Sequence, residues 1–283
     1  LIQNQYHKMK DKKNLLEWIL IGLIILILSW LIVQDCTAQT PDTTMRWNAG
    51  LNVDQFGKKG AKLKPCVIAW HGGGFVSGTR KHPVIRLWCA EFRDSGFISF
   101  SPDYRMGFLF PSQDAAEKGI SDGQAFIRWV KQHYKTLGVD TNRIYSTGMS
   151  AGSFISVNAP YMINADFKAS NLNVTNPKHS NSVAGICNFS GAIFNIQWLQ
   201  RNSTPILNIF GTLDTTVPIW CGKSFGILCC GGKAIFNEME AIGHKTGIYE
   251  CDYCKHCLLP NTPVDEYNWR IQHSFDLMIQ FFK

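Results

Sequence analysis

Three short segments of the chain hold residues that could carry one reaction between them. The first is His71-Gly72-Gly73-Gly74-Phe75, the second Gly148-Met149-Ser150-Ala151-Gly152, and the third Gly211-Thr212-Leu213-Asp214, followed later by His256. The middle segment is a G-x-S-x-G, the pattern of a strained strand-to-helix turn that lifts a serine hydroxyl clear of the backbone. A serine hydroxyl is a weak nucleophile until a neighbouring base takes its proton. A histidine can do so when a carboxylate fixes its tautomer and stabilises the imidazolium. The glycines of the first segment let backbone N–H groups approach a developing oxyanion. The triple glycine lacks the Gly-Lys-Ser/Thr that a phosphate loop requires. Nucleophile, base, acid and backbone donors together make the set needed for acyl transfer.

These residues are far apart in sequence, so the elements before them must bring them together. Cys66–Trp70 is a short continuous apolar run, as expected of a strand buried on both faces of a parallel sheet. Phe97–Phe100, Arg143–Thr147, Val183–Phe189, Pro205–Phe210 and Thr246–Cys251 read as further strands. Helices are expected over Pro83–Phe92, from Ser121 (with Gln124 completing a capping-box pattern), from Ala151, and over Lys233–Ile242. The last helix places Ile271, Phe275, Met278 and Phe282 on one stripe. Residues 39–62 read as an exposed lead-in with a short edge strand near Leu51–Phe56. Strand–helix alternation implies a mostly parallel central sheet with helices on both faces, in one domain over 39–283.

In such sheets the site lies beyond the carboxyl ends of the strands. Gly72–Gly74, Ser150, Asp214 and His256 each follow a strand end and so share one edge. Of the eight histidines, His7 precedes the domain and His71 belongs to the glycine segment. His82, His133 and His179 precede Asp214, against the order Ser, Asp, His. His244 lies before the last strand, on the opposite edge. His273 falls on the side of the last helix away from its apolar stripe and reads as a solvated surface residue. This leaves His256 as base, Ser150 as nucleophile, Asp214 as the acid, and the N–H groups of Gly73, Gly74 and Ala151 as the oxyanion hole.

The N-terminus has a different composition. Lys8, Lys10, Lys12 and Lys13 precede an apolar run from Trp18 to Val33, and Cys36 and Ala38 supply small residues after it. This has the shape of a secretory signal cut after Ala38. The rival reading is a retained membrane anchor through residues 18–33, close to the short end for a span of ~20 residues. Either reading makes the domain secreted or periplasmic, touching a membrane only through residues 1–38. The net charge of +7 is spread without a basic block carrying interleaved aromatics, so nucleic acid is not expected as a partner. Six of ten cysteines fall between Cys221 and Cys257. Cys251-x2-Cys254-x2-Cys257 could suggest a metal, but structural zinc usually takes two C-x2-C pairs, and Cys229-Cys230 is not one. Disulfides or buried thiols are expected instead, and no metal.

His71-Gly-Gly-Gly-Phe75, Ser101-Pro-Asp-Tyr-Arg105, Gly148-Met-Ser-Ala-Gly152 and Gly211-Thr-Leu-Asp214 resemble the carboxylesterase/lipase branch of the α/β-hydrolases. Within it, residues 62–282 are similar to secreted bacterial carboxylesterases related to the hormone-sensitive-lipase and feruloyl/acetyl-esterase groups. Gly138-Val-Asp-Thr-Asn-Arg-Ile144 fits the same group. The resemblance implies an α/β-hydrolase fold, a triad of Ser150, Asp214 and His256, and no metal or organic cofactor. It implies hydrolysis of short- to medium-chain esters, as small molecules or linked to polysaccharide. Tyr253-Cys-Lys-His-Cys257 departs from the Gly-rich histidine loop common in relatives. A serine peptidase of the same fold, or a catalytically silent membrane-tethered binding protein, are the alternatives. Met149, Ala151 and the short N-terminal region speak against the first, and the complete triad against the second.

Overall fold

The computed structural model describes residues 40–259 and 264–283. Lys8–Lys13, the apolar run 18–33 and the Cys36–Ala38 site lie outside the described residues. Among the described residues no helix is long and apolar enough to cross a membrane.

In chain order the strands are β1 (Thr43–Asn48), β2 (Leu51–Phe56), β3 (Lys64–Trp70), β4 (Ile98–Pro102), β5 (Val139–Met149), β6 (Gly185–Phe189), β7 (Ala192–Ile193), β8 (Ile206–Gly211), β9 (Cys221–Ser224), β10 (Ile227–Gly231) and β11 (Thr246–Cys251). The main helices are α1 (Pro83–Asp94), α2 (Gln113–Gln132), α3 (Ala151–Asn158), α4 (Gly232–Ala241) and α5 (Val264–Phe282). Eight strands form one sheet in the order β1-β2-β4-β3-β5-β6-β8-β11. From β4 to β11 the pairings are parallel, while β1–β2 and β2–β4 are antiparallel.

The period of two along each strand divides the core between two faces. Trp70 and Phe100 send their rings to Phe126 of α2. On the other face Trp88 of α1 meets Phe189, and Phe92 meets Phe275 and Phe282 of α5. The expected stripe Ile271, Phe275, Met278 and Phe282 is buried throughout. Helices therefore cover both faces, which lets the parallel strands be continuously apolar.

Two elements differ from expectation. The 39–62 lead-in folds as a β1–β2 hairpin in which β2 lies inside the sheet and β1 is the edge. Asp54 masks the strand pattern because it is fully buried, accepting from Thr44, Arg80 and Arg86. Helix α2 starts eight residues before Ser121, at Gln113, and is capped by Ser112, whose Oγ accepts from the Ala115 N–H at 3.1 Å. Ser121 lies mid-helix, its hydroxyl donating to the Lys118 carbonyl. Gly119 and Gly123 interrupt the apolar pattern there because the helix packs closely, against Phe75 and Tyr104 at one and Ile155 at the other.

The cysteine-rich stretch after Pro218 forms a second sheet, ordered β7-β10-β9. Phe225 and Gly226 close its β9–β10 hairpin with positive φ of 49° and 81°, as a two-residue hairpin turn requires. Cys221 and Cys230 stand opposite each other in this hairpin and form a disulfide. A second disulfide joins Cys251 and Cys254, while Cys66, Cys89, Cys187, Cys229 and Cys257 are buried free thiols.

Candidate active site

Ser150 is the hinge between β5 and α3, with φ 53° and ψ −119°. A residue with a Cβ reaches this region only when its surroundings hold it there. They do so here by close approach. A Cβ at Gly148 would lie 2.8 Å from the Trp70 carbonyl oxygen, and one at Gly152 would collide with that same oxygen. The Ser150 N–H is tied to the Phe189 carbonyl at 3.1 Å. The two glycines thus let β5, β3 and the start of α3 pack closely enough to force the turn.

Asp214 follows β8, and its carboxylate is buried. Its Oδ1 accepts the N–H groups of Thr216 and Val217, both at 2.9 Å, and its Oδ2 accepts from His256 Nδ1 at 2.7 Å. His256 follows β11, and its Nε2 lies 2.8 Å from Ser150 Oγ. The imidazole side chain is 18% exposed, the carboxylate 1%. Burial pulls the His256 imidazolium down, but the Cys257 sulfur and the Asp214 carboxylate outweigh this and raise it above its ordinary value.

The glycine segment follows β3 and faces the same turn. Gly73 has φ 119° and Gly74 φ 63°. The Gly73 carbonyl turns the loop by accepting from Val76 and Ser77. Among the described residues, the N–H groups of Gly73, Gly74 and Ala151 have no acceptor. His71 anchors the loop from below: its Nδ1 lies 2.8 Å from the Gly72 carbonyl oxygen and its ring stacks on Tyr104 at 4.3 Å. The Tyr104 hydroxyl donates to the His71 carbonyl at 3.0 Å. Burial holds the His71 imidazolium below its ordinary value, consistent with a neutral structural ring.

The structure thus brings Ser150, His256 and Asp214 into one hydrogen-bonded series, with Gly73, Gly74 and Ala151 at the same sheet edge. His244 sits ahead of β11, as expected. His273 departs from expectation: it is half-buried, stacking on Trp269 of α5 at 5.1 Å and meeting Tyr249 of β11 edge-on. Sequence reasoning missed Ser190. It follows β6 with φ 53°, and its Oγ accepts the Cys257 N–H at 3.1 Å, beside His256. The rule that brought the other residues to the carboxyl edge applies to the end of β6 as well, but it does not single out Ser190, whose bond to Cys257 exists only in the fold.

The eight-stranded, mostly parallel sheet with this strand–serine–helix turn defines an α/β-hydrolase fold. The chain belongs to the BD-FAE family, whose model matches residues 54–208, more than half of its length. It is similar to esterase LipI of Mycobacterium tuberculosis (35% identity over 100 residues, 32% of this chain and 27% of the relative). It is also similar to gut esterase 1 of Caenorhabditis elegans (31% over 102 residues, 34% of this chain and 18% of the relative). The matches therefore span about a quarter or less of these relatives' lengths. Among solved structures, a thermophilic esterase from the Planctomycetes species Thermogutta terrifontis superposes with TM-score 0.66 at 20% identity, over 84% of this chain and 90% of that one. The same esterase has been seen with propionate bound, with a TM-score of 0.64 at 19% identity over 84% and 94% of the two chains.

Proposed function

We propose that the chain is a serine carboxylic-ester hydrolase that works through an acyl-enzyme. The observation that carries the proposal is the continuous series Asp214 Oδ2–His256–Ser150 Oγ, at 2.7 and 2.8 Å. His256 Nε2 takes the Ser150 proton as Oγ attacks the ester carbonyl. Asp214 accepts from Nδ1 and stabilises the imidazolium that forms. The free N–H groups of Gly73, Gly74 and Ala151 donate to the oxyanion, each worth ~10²–10³ in rate at sites of this kind. The imidazolium then protonates the leaving alkoxide. Water, deprotonated by His256, attacks the acyl carbonyl, and the imidazolium returns that proton to Ser150 Oγ as the acid leaves. Each step is assigned to a residue of the chain, so the mechanism draws on no cofactor.

The substrate class proposed is a short- to medium-chain ester, free or on a polysaccharide. Met106, Phe108, Leu109 and Phe110 form an exposed apolar loop that ends at Pro111, and Pro111 Cγ lies 3.3 Å from where a Gly74 Cβ would stand. This places hydrocarbon surface beside the oxyanion loop, suited to the apolar part of an ester. The esterase names of the sequence relatives and the propionate complex of the structural neighbour support the same reading. The basic, apolar and small-residue order of residues 8–38 supports export, with that segment either cut after Ala38 or kept as an anchor.

The test is hydrolysis of p-nitrophenyl esters of two to twelve carbons by the full chain, beside Ser150→Ala. Activity peaking at short chains, and reduced by several orders of magnitude in the variant, is expected. Near-wild-type turnover by folded Ser150→Ala would exclude the mechanism. Inactivity of the folded wild type at every chain length would exclude the substrate class and direct attention to peptides.

A further inference from the structure

Helix α2 carries a second group that the proposed reaction does not use. Arg128 is only 9% exposed, and it forms no ion pair with any described carboxylate. Its Nε donates to the Thr175 carbonyl at 2.8 Å and its Nη2 to the Asn173 carbonyl at 3.0 Å. Both acceptors are neutral, so the positive charge is buried without a counter-charge. The nearby acids are committed elsewhere. Glu117 accepts the backbone N–H groups of Lys168 and Ala169, Asp122 pairs with Arg105, and Asp166 with Arg201. A buried cation is costly unless it is paired.

The guanidinium lines a cavity of about 210 Å³ between α2 and the 164–181 segment. Gln124, Phe167, Asn173, His179 and Asn181 line it as well. None of the cavity's lining residues is acidic. Nη1 makes no bond to a described residue. With Nε and one Nη2 hydrogen already used on backbone carbonyls, the free edge of the guanidinium is its Nη1–Nη2 end. Two parallel N–H groups on that edge match the two oxygens of a carboxylate.

We propose that this cavity is a binding site for a small organic carboxylate, held bidentately by Arg128 and closed by the 164–181 segment. The proposal is independent of the reaction proposed for Ser150. A carboxylate would supply the missing counter-charge, and the apolar wall at Phe167 would face its short hydrocarbon part. Because Arg128 already holds the Asn173 and Thr175 carbonyls, an occupied site would clamp this segment onto α2.

The full chain is titrated with sodium acetate, sodium phosphate and sodium chloride at one ionic strength and pH 7.5, and thermal unfolding is followed. Acetate at ten times its Kd is expected to raise Tm by about 3 °C, with chloride giving no comparable rise. The rise should persist in Ser150→Ala, which leaves the cavity intact. It should be largely lost in Arg128→Lys, which keeps the charge but not the fork. An acetate effect equal to that of chloride, or an equal rise in Arg128→Lys, would overturn the proposal. A larger effect of phosphate would overturn the carboxylate assignment. A second readout needs no change at Arg128: ring resonances of His179, which lines the cavity, and His256, which lines the candidate active site, followed during the acetate titration. A saturable shift of His179 supports the site; a shift confined to His256 refutes it.

Discussion

Replacing Asp214 by Asn tests the proposed chemistry at a point where the structure dictates the outcome. Oδ1 accepts two backbone N–H groups, from Thr216 and Val217, so the asparagine side chain must place its carbonyl oxygen there. Its NH₂ then replaces Oδ2 and donates toward His256 Nδ1. The imidazole can answer only by accepting at Nδ1 and carrying its proton on Nε2, facing Ser150. That tautomer cannot take the serine proton. The fold keeps every backbone bond, but the base is in the wrong state, and the loss expected for this defect is ~10⁴ in kcat. At ~1.36 kcal/mol per tenfold, this is about 5.4 kcal/mol in the barrier. The pH profile supplies a second reading. His256 acts only when neutral, and its pKa is raised, so kcat/KM should climb with pH through that raised value. Removing the Asp214 charge should move the remaining limb to lower pH. The assay is p-nitrophenyl acetate turnover from pH 5 to 10, with circular dichroism confirming the fold. A folded variant within tenfold of wild type, or a limb that does not move, would refute the assignment of Asp214 and His256.

Two further predictions concern the frame around the site. Asp54→Ala leaves Arg80 and Arg86 without their shared buried carboxylate and should cost ~3–5 kcal/mol in urea unfolding at pH 7. Burial raises the Asp54 pKa, but the bonds from Thr44, Arg86 and Arg80 outweigh it and leave it lowered. Its contribution is therefore present above the ordinary carboxylate value and fades as pH falls through the lowered one, where wild type and variant should converge. Ser190→Ala strands the buried Cys257 N–H and should cost ~1–3 kcal/mol. Because that N–H adjoins His256, kcat should fall more than KM changes; an unchanged kcat would make Ser190 merely structural.

The sequence was most legible where one physical requirement governs each residue. At Gly148, Ser150 and Gly152 the requirement is close backbone approach, which leaves a fixed spacing in the chain. Asp214 and His256 were accessible because each follows a recognisable strand, and parallel strands deliver their ends to one edge. Asp54 was not legible, because a polar residue inside a strand looks like a strand's end until the two arginines that neutralise it are seen across 26 and 32 residues. The start of α2 was hidden for a related reason: its first two turns hold Asp114, Glu117 and Lys118, and Gly119 and Gly123 then break the apolar pattern where the helix packs closely. Ser190 has no motif of its own, and its role exists only once β6 and the His256 loop are adjacent.

The His256 loop shows how the chain replaces the glycines common in such loops. Tyr253, Cys257 and Leu258 all adopt positive φ, at 59°, 54° and 57°. A residue with a Cβ in this region costs of order 1 kcal/mol or more, so the loop must be held from outside. The holding contacts are specific. The Tyr253 N–H donates to Thr212 Oγ1, the Leu213 N–H to the Cys254 carbonyl, and the Cys257 N–H to Ser190 Oγ. The Cys251–Cys254 disulfide closes the same turn covalently, and the Gly211 position packs against the Cys254 and Lys255 carbonyls, leaving no room for a Cβ. Loops from β8, β11 and β6 therefore position one imidazole together. Removing the disulfide by Cys251→Ser with Cys254→Ser should leave the sheet intact but release the turn that carries His256. Displacements of ~1 Å cost up to ~10² in rate at sites of this kind, so kcat should fall at least tenfold while the Tm transition stays cooperative. If kcat is unchanged, the hydrogen bonds from β6 and β8 alone position the histidine, and the disulfide serves only the stability of the loop.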